Sequence, residues 1–167
     1  MNLVLNFVGQ TQEQSEWCWS AVSVSVSLFY NATSGWIQCS MANQELGGTT
    51  CCQDGATDNC DRPWYLDRAL TRTRNLNNIS WGPSSFAQVV TEIQQGRALA
   101  VRISWSGSGN AGHFLTIAGF DDSDPANLLV YVVDPAPGTA PGWVPYNTLV
   151  SAYKGSGVWT HSFRTQP

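Results

Sequence analysis

The sequence predicts an α+β domain in which helices come first and an antiparallel sheet or barrel follows. Three observations carry this. Between Ser15 and about Gly96, apolar residues recur at helical spacing and are bracketed by capping and stop residues. From Ala98 onward, β-branched and aromatic runs alternate with turn-rich segments. The 167 residues are 43% hydrophobic and 12% charged, enough for one packed core and too few for two independent domains. Residues 1–167 are therefore expected to form a single domain. A helical lobe covers about 15–96 and a β lobe about 97–167, with residues 1–10 joining the β lobe.

At the N-terminus, "NLVLNFVGQ" has neither the charged n-region nor the cleavage site of a signal peptide, so an export route is not visible in this chain. The next stretch, "QEQSEWCWSAVSVSVS" over residues 12–27, contradicts itself. Its Val/Ser alternation has the period of a half-buried strand. A helix is expected nonetheless, with Ser15 as N-cap, Glu16 in the first turn and Cys18 third, because the cap and the "WCW" cluster outweigh the alternation. Val22, Val26 and Phe29 then share a stripe with Cys18, flanked by Ala21 and Leu28. "MANQELGG" is a short helix stopped by glycine. "RPWYLDRALTRT" offers Trp64, Leu66 and Leu70 to a core. "SSFAQVVTEIQQG" has Ser85 and Gln88 at capping-box spacing, an apolar face of Phe86, Val89, Val90 and Ile93, and Gly96 at the stop. The strands are "ALAVRISW", "HFLTIAGF", "LLVYVVD" and "GVWTHSF", separated by turns such as "SGSGNAG", expected to be a loop at a cleft edge, and "PAPGTAPG".

Cysteine usage points to an oxidising compartment. Cys39, Cys51, Cys52 and Cys60 cluster, while Cys18 stands alone. A bond between the adjacent Cys51 and Cys52 is strained, so each should pair outward, one with Cys39 and one with Cys60. A four-thiolate zinc site normally shows C-x2-4-C knuckles, which these spacings lack, and no metal or cofactor is expected. Cys18 is then a free thiol in an otherwise oxidised protein.

At the start of a helix, Cys18 meets unpaired N–H groups and the positive end of the helix dipole, which favour a thiolate. A thiol nucleophile needs a base, and the chain has two histidines. His113 opens an apolar strand directly after a glycine, where an imidazole can face a cleft. His161 sits within a terminal strand in "VWTHSFRT", a structural position. Asp134 ends the strand after that of His113 and precedes a proline, from where its carboxylate can orient an imidazole.

In order and context, "QEQSEWCWSAV", "GHFLTIAGF" and "VVDP" resemble the papain-like cysteine protease superfamily, most closely its compact bacterial branch that includes secreted effector proteases of plant pathogens. The resemblance covers most of the chain and extends to "CSMANQELGGTTCC". It implies a papain-like fold: a helical left lobe with a central nucleophile helix, against an antiparallel β-sheet or barrel right lobe. It also implies roles: Cys18 attacks a peptide carbonyl, His113 holds the ion pair and protonates the leaving amine, and Asp134 orients His113. The family's oxyanion-hole glutamine stands six residues before the cysteine, here Gln12, with Gln14 as the competing choice. The short length, an aspartate where many relatives carry asparagine, and Trp19 followed by Ser20 depart from the larger papain-type enzymes and bear on substrate preference.

The expected activity is thus a secreted or extracytoplasmic cysteine peptidase. Its partners would be a protein or peptide substrate and a proteinaceous inhibitor or immunity protein. Another thiol amidohydrolase (a cell-wall amidase or deamidase) and an inactive peptide-binding module are the alternatives. With net charge −4 and Lys154 the only lysine, no basic face for nucleic acid is present, and no apolar run of about 20 residues is available to span a membrane. Trp17, Trp19, Trp105 and Trp143 could line a cleft, but tryptophans are more often core, and none is assigned to substrate.

Overall fold

The computed structural model describes residues 1–107 and 112–167. The Val/Ser alternation lies in a helix, α1 (Cys18–Tyr30), whose residues Cys18–Ser27 are all buried. Once every face is covered, period-two patterning no longer reports which side meets water. What remains is to satisfy the serine hydroxyls. Ser20 donates to the Gln38 carbonyl (3.0 Å), Ser23 to Ser20 (3.0 Å) and Ser25 to Ala21 (2.6 Å), and Ser27 pairs with the Ser34 hydroxyl (2.8 Å).

Two helices pack beside α1: α2 (Gln38–Leu46), stopped by Gly47 in the left-handed region, and α3 (Leu66–Arg72). Among the described residues, seven strands form one antiparallel sheet: β1 (Asn2–Val4), β2 (Leu76–Trp81), β3 (Leu99–Trp105), β4 (Gly112–Asp121), β5 (Leu129–Val133), β6 (Gly142–Pro145) and β7 (Gly157–Thr165). Their order is β2-β7-β3-β4-β5-β6, with β1 paired to β4. The chain is α+β, as the sequence predicts.

Strand alternation divides the core between the two sheet faces. Ala100, Phe114, Ala118 and Phe163 pack with the α1 side chains and with Leu66 and Leu70 of α3. Two alanines on that face let the helix sit close. Leu99, Val101, Ile103, Leu115, Ile117 and Trp159 form the second cluster, covered by Val89 and Ile93 of α4 (Phe86–Gln94) and Leu149 of α5 (Tyr146–Ser151). Ser85 and Gln88 cap α4 reciprocally.

The expected division at about residue 96 needs revision. Residues 76–81, without a clean apolar alternation, become β2 because β7 supplies a backbone partner, and α4 covers the sheet instead of joining the other helices. Ser15 is not the cap of α1 either. Its hydroxyl donates to Asp61 Oδ2 (2.7 Å), and the helix starts at Cys18. The "SGSGNAG" loop lies largely outside the described residues.

Candidate active site

A free thiol, Cys18, occupies the first position of α1 and is 8% exposed. First-turn N–H groups have no partner four residues back, so the field there favours negative charge. The turn delivering Cys18 is tied to the loop at residues 60–62. Trp17 and Trp19 are fully buried, and their indole N–H groups donate to the carbonyls of Cys60 (2.7 Å) and Arg62 (3.1 Å). Asp61 Oδ1 accepts the Glu16 N–H at 2.8 Å. Disulfides Cys39–Cys52 and Cys51–Cys60 close this region, both cysteines of the adjacent pair bonding outward as expected. Gly55 lies against Trp17: a Cβ there would come within 2.9 Å of its ring and 2.8 Å of the Gln14 side-chain nitrogen.

His113 stands at the start of β4, its ring stacked at 6.3 Å on Trp105 of β3. Nε2 meets Asp134 Oδ1 at 2.6 Å, and the Cys18 thiol is close enough to the ring to influence its protonation. Burial opposes protonation of His113, but the hydrogen bond to Asp134, the interaction with Cys18 and the Asp134 charge outweigh it and lift its pKa to about 9.

Asp134 follows β5 and is buried. Its Oδ1 also accepts the Ala136 N–H (2.9 Å), and its Oδ2 accepts the Tyr153 hydroxyl (2.7 Å) and the Lys154 ammonium (2.8 Å). Burial would raise its pKa. The bond and charge of His113, then Lys154 and the Ala136 N–H, prevail and hold it well below the ordinary carboxylate value. Tyr153 goes the other way: burial and the Asp134 carboxylate keep its phenol protonated.

Gln12 is brought to this turn by its own N–H, which donates to the Pro135 carbonyl at 2.8 Å. Its side-chain Nε2 donates to the carbonyls of Gln14 (2.9 Å) and Ser15 (2.6 Å), while Oε1 is buried without a hydrogen-bond partner. Gln14 directs its amide toward Gly55 in the disulfide loop. His161 lies apart from the Cys18–His113–Asp134 row, between Trp81 and Phe163, with Nδ1 on the Thr160 hydroxyl at 2.9 Å.

Three contributors escape sequence reading. Gln38, 1% exposed, accepts the Glu13 N–H (3.0 Å) and donates to Gln10 Oε1 (3.1 Å) and the Thr11 carbonyl (2.9 Å), splinting the segment that carries Gln12. Tyr153 and Lys154 are the others, and the only hint was that Lys154 is the single lysine. Of the four tryptophans considered for a cleft, Trp143 lines one of about 330 Å³, together with Val132, Thr139 and Lys154 beside Asp134.

No curated protein matches the chain. The sequence model of the Peptidase_C39 like family matches residues 4–162, a span that includes Cys18, His113 and Asp134. With nearly its whole length matched, and with helices packed on an antiparallel sheet, the chain belongs to the Peptidase_C39 like family of cysteine peptidases, within the papain-like superfamily.

Proposed function

We propose that the chain hydrolyses peptide bonds with Cys18 as nucleophile, His113 as acid and base, and Asp134 as the group that orients His113. One observation carries this: the His113 imidazole sits 2.6 Å from a buried Asp134 carboxylate and within the influence of the free Cys18 thiol at the head of α1. The thiolate attacks the scissile carbonyl, forming a C–S bond as the π electrons move to oxygen. The imidazolium gives its proton to the leaving amine as the C–N bond breaks. Water, deprotonated by His113, then attacks the acyl-enzyme and the thiolate departs.

The Cys18 N–H at the head of α1 and the Gln12 amide are the donors for the oxyanion. Gln12 must release Gln14 or Ser15 to serve, and its orphaned Oε1 weakens its hold on the resting position. The substrate is a protein or peptide. Two disulfides, and no helix among the described residues long and apolar enough to cross a membrane, are compatible with work outside the cytoplasm, as for a secreted bacterial effector.

The test is intact-mass analysis after brief iodoacetamide treatment near pH 6, wild type against His113→Ala, followed by a peptide library. One fast adduct on Cys18 that slows sharply in the mutant, with peptide cleavage, supports the reading. Labelling indifferent to His113 sinks it. Histidine-dependent labelling with turnover of muropeptides or glutamine side chains, and no peptide cleavage, assigns the site to another thiol amidohydrolase.

A further inference from the structure

We propose that Lys154 is a positioning residue that shares the Asp134 carboxylate with His113, fixes its rotation, and sets the pH at which His113 loses its proton. The inference rests on the reading of Cys18, His113 and Asp134 as a working triad. The carboxylate is 1% exposed and both oxygens are occupied: His113 and the Ala136 N–H on Oδ1, Tyr153 and Lys154 on Oδ2. With Oδ2 held by two donors, Oδ1 is aimed at His113. Lys154 also reaches the Thr139 hydroxyl at 3.1 Å, so its ammonium ties the turn after β5 to the turn before β7.

The backbone of Lys154 argues that the side chain matters and not the turn alone. Its φ is +48°, the left-handed region where glycine is favoured, and Gly155 follows at +92°. A glycine at 154 would relieve the turn, and the lysine stands there with its ammonium on the carboxylate.

The charges around His113 come from every neighbouring element. Cys18 approaches from α1 and Asp134 from the end of β5. From β3 comes the Trp105 ring, while the Arg102 guanidinium lies against the adjacent Gly112, where a Cβ would be. The Tyr153 hydroxyl and Lys154 lie behind Asp134. Lys154 is a cation beside the anion that stabilises the imidazolium, so it opposes His113 protonation. Its side chain is 43% exposed, which makes the effect sensitive to salt.

The test is NMR titration of the histidine ring resonances, with only His113 and His161 to assign. Lys154→Met, or Lys154→Gln should the Met variant not fold, is expected to raise the His113 midpoint by about 0.5–1 pH unit at low salt and leave His161 unmoved. Lys154→Arg should return it to the wild-type value. The upper limb of the Cys18 alkylation profile should move in parallel. A His113 midpoint unchanged in both neutral variants overturns the proposal, as does an equal shift in Tyr153→Phe, which removes a hydrogen bond but no charge. Loss of the triad reading looks different: alkylation then ignores His113→Ala, whatever Lys154 does.

Discussion

The Trp17 indole N–H donates to the Cys60 carbonyl at 2.7 Å, so the turn that delivers Cys18 is fastened to a disulfide-closed loop. Replacing Cys51 and Cys60 together by serine is expected to cost about 3 kcal/mol of stability through loop-closure entropy. It should also slow Cys18 alkylation, since Trp17, Glu16 and Trp19 all lean on residues 60–62. Denaturant unfolding and labelling rates check the two effects separately.

Neutralising Asp134 removes the group that most supports the His113 proton. Asp134→Asn is expected to lower kcat/KM by about 10²- to 10³-fold, on the scale of a lost acid–base contribution. The upper limb of the pH profile should move to lower pH, because burial then acts on His113 without the carboxylate to offset it. A limb that stays in place would mean that another group defines it.

Stability should depend on pH through the same pair. The folded pKa of His113, about 9, lies above its ordinary value of about 6.5, so its contribution is complete below about pH 6.5 and is lost as pH rises through about 9. That contribution is about 3 kcal/mol at most. Asp134 has the opposite sign: its lowered pKa stabilises the fold above the usual carboxylate range, and this is lost as pH falls through the folded value. Melting curves should show a Tm that falls between about pH 6.5 and 9 in wild type and less in His113→Gln.

The glutamines separate by role. Gln12→Ala should lower kcat by about 10²-fold, with KM little changed, as for a lost oxyanion donor. Gln14→Ala should change turnover by less than about threefold. Gln38→Ala leaves the Glu13 N–H without its buried acceptor and should cost about 1–3 kcal/mol along with turnover. Steady-state kinetics with denaturant unfolding on all three variants distinguishes them.

Much of the site was legible because its chemistry is local. A thiol at a helix start, an imidazole opening a strand and a carboxylate before a proline can each be read from a few neighbouring residues. The geometry of adjacent cysteines showed that Cys51 and Cys52 bond outward, and the fold decided which takes Cys39 and which Cys60. What escaped depends on distant partners. β2 exists because β7 lies beside it, Ser15 was drawn from its capping role by Asp61, and Lys154 reaches Asp134 across 20 positions. The strand-like alternation in α1 misleads because tertiary burial on all sides erases the difference between its faces.

Five cysteine sulfurs in one small protein invite scrambling, and the fold sorts them by access. Cys51 and Cys60 are 3% and 2% exposed, and Cys52 is the one disulfide sulfur whose residue lies open to solvent. Attack on a disulfide needs a thiolate to reach a sulfur along the S–S axis. The bond behind the nucleophile is thereby sheltered from small reductants. Steric shielding thus guards the Cys51–Cys60 bond that holds the nucleophile's turn, while the Cys39–Cys52 bond meets solvent at Cys52.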